Sequence, residues 1–360
     1  MDIKSLLLQM NQSKASDLLL VAGTPPCLRV NNLIYKQGNK NLTGDEIRIL
    51  LEDFLSKEEI KEFENWKELD TAAQDENSRY RVNLHFQMGT IAATIRHIPK
   101  EIPSLDSLGL QKMAKDFTTL ERGLILVTGP TGCGKSTTQA SMINQINATR
   151  ACHIITIEDP IEFVHSPKLA VIEQREVGQD TISFGEALKR VLRQIPDVIL
   201  VGEMRDLESI QMAITAAETG HLVISTLHTQ DAVQSVDRII DVFPPHQQPQ
   251  IRSMLSLTLQ GIMSQQLIPR KDGKGLVMAQ EVLVATPAIR NIIRKGATQD
   301  IYSMIELGAK FGMVSMDSSI AQLFKQGVIK KEDAIAYAIN RERLEKLLGG
   351  PTQISSKKNT

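Results

Sequence analysis

The chain has 360 residues, 42% apolar and 23% charged, ordinary values for a soluble globular protein of two to three domain-lengths. At that length about 75% of the unfolded surface is buried on folding, so no disulfide or metal staple is needed. Lys and Arg number 41 against 42 Asp and Glu, with neither half a basic arm nor an acidic tail, which excludes a nucleic-acid protein acting through bulk charge. The first residues, Met1-Asp2-Ile3-Lys4, lack a basic stretch followed by an apolar core, so no secretory signal is expected. An α+β pattern then runs to residue 98. Residues 17–21 and 28–30 predict short strands around a Gly23-Thr24-Pro25-Pro26 turn, and residues 43–63 predict one helix. Tyr80, Val82, Leu84 and Phe86 alternate with Arg79, Arg81, Asn83 and His85, which predicts a strand with one buried face; a second strand follows over 91–97 after Gly89-Thr90.

Two prolines, Pro99 and Pro103, mark a linker. Beyond it the pattern becomes strand-helix alternation. Residues 124–128, 154–157, 198–201 and 222–226 are continuous apolar runs, which suit strands of a parallel sheet covered on both faces. Ser183 with Glu186 predicts a capping box for a helix that Pro196 stops. Asp206 caps the next helix and Gly220 ends it; Thr229 caps the one after. The repeat argues a doubly wound α/β core. From about Pro245 the pattern predicts mostly helix, and residues 349–360 predict a disordered tail. No apolar run reaches about 18 residues, so no membrane span is expected. Cys27, Cys133 and Cys152 are far apart and never C-x-x-C, which fits a reducing cytoplasm and excludes a tetracysteine zinc site.

Gly129-Pro130-Thr131-Gly132-Cys133-Gly134-Lys135-Ser136 is a complete G-x-x-x-x-G-K-S phosphate loop between a predicted strand and a predicted helix. Its backbone N–H groups and the helix dipole suit phosphate; Lys135 suits the β/γ-phosphates and Ser136 suits Mg²⁺. Thr137 and Asp159 are counted with the nucleotide-binding set. Glu158, Asp159 and Glu162 fall at the end of the next strand, where ligands bind in open α/β sheets, and a hydrolase needs a carboxylate to orient water. A solvated acidic turn has the same composition. The strand over 198–201 ends in Gly202-Glu203, so glycine takes the place where many nucleotidases carry aspartate. Asp197 lies about 20 Å upstream along an extended strand and cannot substitute.

His221 and His228 bracket a strand, about 23 Å apart if extended, and cannot bind one metal ion. His228, at the C-terminal end, is a candidate γ-phosphate sensor; a structural or interface role suits His221. Arg79, Arg81 and Arg96 suit phosphate charge or, equally, a solvated strand face. Thr286 and Pro287 open an amphipathic helix with Ile289, Ile292 and Ile293 on one side and Arg290, Arg294 and Lys295 on the other.

Together these residues resemble the PilT-type twitching-motility ATPases, retraction motors of bacterial type IV pili. The likeness covers about residues 1–345 and is anchored on Ala15-Ser16-Asp17-Leu18, residues 129–136, 157–163, Gly202-Glu203-Met204-Arg205-Asp206, 217–229 and 286–294. It implies an α/β chain: a PAS-like domain (1–98), a linker (99–110), a RecA-like P-loop ATPase core (111–285) and a helical C-terminal part (286–348) before the tail (349–360). It implies ATP and Mg²⁺, with nucleotide between the two domains of one subunit. Glu162 becomes the catalytic base, Glu203 the Mg²⁺-linked glutamate, His221 and His228 a histidine pair, and Arg81 and Arg96 phosphate ligands. It also implies a homo-hexamer in the cytoplasm at the inner membrane, acting on a pilus platform protein beside a paralogous retraction ATPase. The family's retraction signature is kept as Ala288, Ile289, Arg290 and Asn291, with isoleucine at 292 in place of leucine and Lys295 in place of glutamate, a lysine that PilU-like relatives share. The tetracysteine segment and longer N-terminal region of extension and secretion ATPases are missing. A nucleotide-gated scaffold without turnover and a conjugation-type transport ATPase are the rival readings.

Overall fold

The structure is a computed structural model that describes residues 2–30, 33–75, 78–98, 101–110 and 112–349. Pro99 and Lys100 of the expected linker, and residues 350–360 of the expected tail, lie outside the described residues.

The first of two units comprises Met1–Glu101 and Glu162–Val164. Its elements are α1 (Ile3–Gln12), β1 (Asp17–Leu20), β2 (Cys27–Val30), β3 (Leu33–Lys36), α2 (Gly44–Glu52), α3 (Lys57–Trp66), β4 (Glu68–Gln74), β5 (Arg79–Gln87) and β6 (Thr90–Ile98). The sheet order is β3-β2-β1-β6-β5-β4, antiparallel throughout. The alternation in β5 buries Tyr80, Val82 and Leu84 against Leu6, Met10, Ile47 and Phe63 of the helices. The single helix expected over 43–63 is two. Thr43 and Glu46 form one complete capping box, Ser56 and Glu59 a second, and the second starts a new helix.

The second unit comprises Ile102–Ile161 and His165–Thr360. Its elements run α4 (Lys112–Thr118), β7 (Gly123–Thr128), α5 (Lys135–Thr149), β8 (His153–Glu158), β9 (Val171–Glu176), α6 (Phe184–Val191), β10 (Val198–Val201), α7 (Leu207–Glu218), β11 (Leu222–Leu227), α8 (Ala232–Asp241), α9 (Gln248–Thr258), β12 (Leu259–Pro269), β13 (Leu276–Val284), α10 (Pro287–Lys295), α11 (Ile301–Leu307), α12 (Met316–Lys325), α13 (Lys331–Tyr337) and α14 (Arg341–Leu347). The sheet order is β13-β12-β7-β11-β10-β8-β9; all neighbours are parallel except β12 and β13. Each buried strand serves two cores. Leu124 and Leu126 face α7, α8 and α9, whereas Ile125 and Val127 face α4 and α5. That two-sided covering is why the strands read as unbroken apolar runs.

Three expectations fail here. The stretch beyond Pro245 is not all helix, because β12 and β13 form a long hairpin that extends the sheet. Ser183 caps α6 by accepting from the Glu186 N–H (3.2 Å), but the Glu186 carboxylate turns to Lys189 and Arg190, so the box is only half made. The cap of α8 is Asp231, whose Oδ1 accepts from the Gln234 N–H at 2.8 Å; Thr229 instead pairs its hydroxyl with Ser235. Asp206 caps α7 as its position predicts, accepting from the Ser209 N–H at 2.8 Å. No helix among the described residues is long and apolar enough to cross a membrane.

Candidate functional site

The chain leaves the fully buried β7 at Thr128 and turns through Gly129–Ser136 into α5. Gly129 has φ +140°, and a Cβ there would collide with the Gln265 carbonyl oxygen and the Cys133 sulfur. Gly132 and Gly134 take the left-handed backbone at φ +80° and +91°. Gly134 is the N-cap of α5, and no side chain caps that helix. A turn that only glycines can make thus delivers the N–H groups and positive dipole end of α5 to one spot, which fits a polyphosphate. Lys135 folds back over the loop and donates to the carbonyls of Gly129 (2.8 Å) and Pro130 (3.0 Å). Pro130, Thr131 and Gly132 are exposed; Ser136 and Thr137 are half-buried in the first turn of α5. Cys133 is buried, and burial pushes its thiol up, so a neutral sulfur fills the space under the loop.

Behind the loop stands β12, which sequence reasoning missed. The Thr128 hydroxyl donates to Ser264 Oγ at 2.9 Å, and the fully buried Gln265 amide donates to Thr138 Oγ1 at 2.8 Å. Ser264-Gln265-Gln266, three polar residues inside an apolar stretch, was the available signal.

Along the same edge of the sheet, Glu203 follows β10 with its side chain 15% exposed. One oxygen meets Arg205 Nε at 2.6 Å and the other meets His228 Nε2 at 3.3 Å. A Cβ on Gly202 would come within 3.3 Å of the Ile157 carbonyl and 3.4 Å of Glu158 Cα, so the neighbouring strand leaves little room for the aspartate many nucleotidases carry there. Glu158 accepts from the Thr156 hydroxyl (2.6 Å) and the Gln174 amide (3.2 Å); Asp159 is exposed. Buried Glu176, also missed, accepts from the Ile161 N–H at 3.0 Å and so anchors the chain just before Glu162. Glu162 is half-buried and groups, with Phe163 and Val164, in the first unit. Asp197 sits at the start of β10, where it accepts from the His153 N–H at 2.8 Å, at the edge away from the loop.

Within the first unit Arg81 and Arg96 are register partners on β5 and β6. Each already holds a carboxylate: Arg81 meets Asp70 at 3.1 Å and Arg96 meets Asp17 at 2.9 Å. Asp17 is buried and also pairs with Arg29 at 3.4 Å.

The model of the family described as type II/IV secretion system protein matches residues 69–335. The chain is 45% identical to the type IV pilus retraction ATPase PilT of Pseudomonas aeruginosa over 93% of this chain and 97% of that protein. It is 38% identical to the type IV pilus ATPase PilU of the same organism, over 94% and 89%. A crystal structure of the pilus retraction motor PilT with bound ADP superposes with a TM-score of 0.90 at 43% identity, covering 96% of this chain and 99% of that one. The Legionella pneumophila ATPase DotB superposes with a TM-score of 0.82 at 28% identity, covering 93% and 95%. The chain belongs to the type II/IV secretion system family, as a PilT-type ATPase.

Two signature regions of PilT-type ATPases are placed differently by the structure. His228 lies at the loop edge, but His221 lies at the start of β11, on the opposite edge. Its Nδ1 stands 3.0 Å from the Ala216 carbonyl oxygen and 3.2 Å from Thr219 Oγ1, so within this chain it is not brought to the phosphate loop. In α10, Thr286 caps and Pro287 opens the helix as expected. Ile289 is buried, Ala288 is exposed and Asn291 is half-buried, accepting from Arg294 at 3.0 Å. Arg290 does not join a solvated basic face with Arg294 and Lys295. It is turned inward and donates to the carbonyls of Ser256 and Leu257 at 2.8 Å each and to Gln260 Oε1 at 3.1 Å. The last turn of α9 leaves its carbonyls without helical partners, and the guanidinium fork supplies them.

Proposed function

We propose that this chain is the ATP-hydrolysing motor that retracts a type IV pilus. The observation that carries the reading is the glycine-built, uncapped start of α5 at the edge shared by Glu203 and His228, in a chain alike to PilT over nearly its whole length. The loop from Gly129 to Ser136, with Thr137 and Asp159, binds the nucleotide. Lys135 exchanges its carbonyl partners for phosphate oxygens. Ser136 and Glu203 suit Mg²⁺, a hard cation that takes few protein ligands when phosphates fill its shell. Bound there, Mg²⁺ supplies charge neutralisation to the phosphates. Glu162 takes the proton of the attacking water, and Arg81 and Arg96 trade their aspartate partners for phosphate charge.

On this reading six copies form a ring on the cytoplasmic side of the inner membrane, turn a platform protein and draw pilin subunits out of the filament. A paralogous PilU-type ATPase is a further partner. Lys295 favours an accessory, PilU-like role for this chain; the intact Ala288-Ile289-Arg290-Asn291 favours the principal motor.

Two measurements test the proposal. The purified chain releases phosphate from Mg·ATP, and a deletion strain carries excess surface pili without twitching, restored by the wild-type gene and not by Glu162→Gln. Absence of turnover would leave a nucleotide-gated scaffold. Normal twitching in the deletion strain would remove the retraction role.

A further inference from the structure

Strand β12 carries a bulge. Its register with β7 shifts between Leu259 and Gly261, so Gln260 is an extra residue with no partner across the parallel ladder. Bulges re-aim the residues beyond them, and a one-residue slip would turn every later side chain to the other face. The stretch of β12 beyond this bulge is the floor of the phosphate loop. Ser264 falls opposite Thr128, and Gln265 brings its carbonyl under Gly129 and its amide to Thr138.

The bulge is a built feature. Gly123 and Gly261 make room for it: a Cβ on Gly123 would stand 2.5 Å from Gln260 Cγ, and one on Gly261 would enter the Phe117 ring. The Gln260 carbonyl accepts from the Ala285 N–H at 2.9 Å, and its side-chain amide donates to the Arg122 carbonyl at 3.3 Å. The remaining side-chain atom, Oε1, accepts from Arg290. Arg290 also holds Ser256 and Leu257, the last turn of α9 immediately before β12. One guanidinium thus ties the strand's lead-in and its bulge together, from a helix that follows the hairpin.

We propose that Arg290 is a positioning residue for the phosphate loop: it pins the Gln260 bulge and so fixes the register that seats Gln265 against Gly129 and Thr138. The proposal deepens the nucleotide-site reading above and rests on it. A planar fork with three fixed acceptors cannot be replaced by an ammonium, so even the charge-conserving variant should loosen the loop.

The test uses the full-length chain, with binding of a fluorescent ADP analogue in Mg²⁺ buffer and amide hydrogen exchange as readouts. Arg290→Lys and, as a milder variant that keeps the guanidinium, Gln260→Ala should each weaken ADP binding by about tenfold. Each should also speed exchange over residues 259–266 and 129–137. Arg294→Ala, on the exposed side of the same helix, should change neither. A helix-support role alone would raise exchange only over 255–258 and 287–295 and leave ADP affinity within about twofold of wild type, which overturns the proposal. No ADP binding by the wild-type chain would instead overturn the nucleotide-site reading itself, and the proposal with it.

Discussion

His228 Nε2 stands 3.3 Å from the Glu203 carboxylate, whose other oxygen meets Arg205 at 2.6 Å. The carboxylate is largely shielded while the imidazole is half exposed, so the histidine is the member of the pair open to solvent. His228→Ala leaves the Glu203–Arg205 contact in place. It should lower kcat by about 10², the scale for removing one donor that meets developing charge, with ADP affinity little changed. Steady-state phosphate release beside ADP titration checks this; a matched loss of affinity would assign His228 to support of Glu203.

Glu162→Gln keeps the shape of the side chain and removes its basicity. ATP binding should persist while turnover falls by about 10² or more, the scale for losing a general base. Single-turnover hydrolysis with pre-bound ATP separates the two, and near-normal turnover would move the role to Glu158 or Asp159.

Features of the site set by local spacing were legible in the sequence. The G-x-x-x-x-G-K-S run, the apolar strands that lead to it and the Asp206 and Thr286 caps depend on neighbours within about one turn of chain. The hairpin was hidden because Leu259, Met263 and Leu267 recur at helical spacing while Ser264-Gln265-Gln266 breaks strand alternation. Ser264 and Gln265 are buried because they serve Thr128 and Thr138 more than 120 positions away. Arg290 was misplaced for the same reason: a helical wheel cannot show carbonyls 33 and 34 residues upstream. The second capping box, Ser56 with Glu59, is legible in the sequence, because Asp53 and Ser56 interrupt the helix formers on either side.

Gly129→Ala and Lys135→Ala should both abolish nucleotide binding, for different reasons. The alanine Cβ at 129 meets the Gln265 carbonyl and a backbone at φ +140° that L-residues rarely adopt, a cost of about 1–3 kcal/mol. Lys135→Ala removes a half-buried side chain that donates to the Gly129 and Pro130 carbonyls, and it adds no backbone strain. Thermal melts without nucleotide should therefore show a larger fall in Tm for Gly129→Ala than for Lys135→Ala. Equal Tm values would mean that β12 yields and the loop floor is soft.

Asn291 is half-buried and accepts only from Arg294 on its own helix among the hydrogen bonds described, unlike Arg290. Asn291→Ala should cost pilus retraction more than ATPase activity. Twitching-zone diameter against phosphate release by the purified variant reads the split, and parallel losses would make α10 a purely internal support.

Glu281 gives a pH prediction. It is buried on β13 and accepts from the N–H groups of Ala232 (2.9 Å) and Met316 (3.4 Å), the first residues of α8 and α12. Burial, with the Asp231 and Asp317 carboxylates nearby, pushes it up to about 7 from 4.5. The folded chain therefore holds this proton more tightly than the unfolded one. The linked stability is complete below about pH 4.5, is lost as pH rises through about 7, and is flat above. At 1.36 kcal/mol per unit the full span is of the order of 3 kcal/mol. Glu281→Gln keeps an acceptor for one helix start and never ionises. Its Tm should gain on that of wild type as pH rises from 5 to about 7 and keep that lead above it. A Tm difference that stays constant across that range would show that the buried carboxyl is already ionised at pH 5, held by the two helix dipoles.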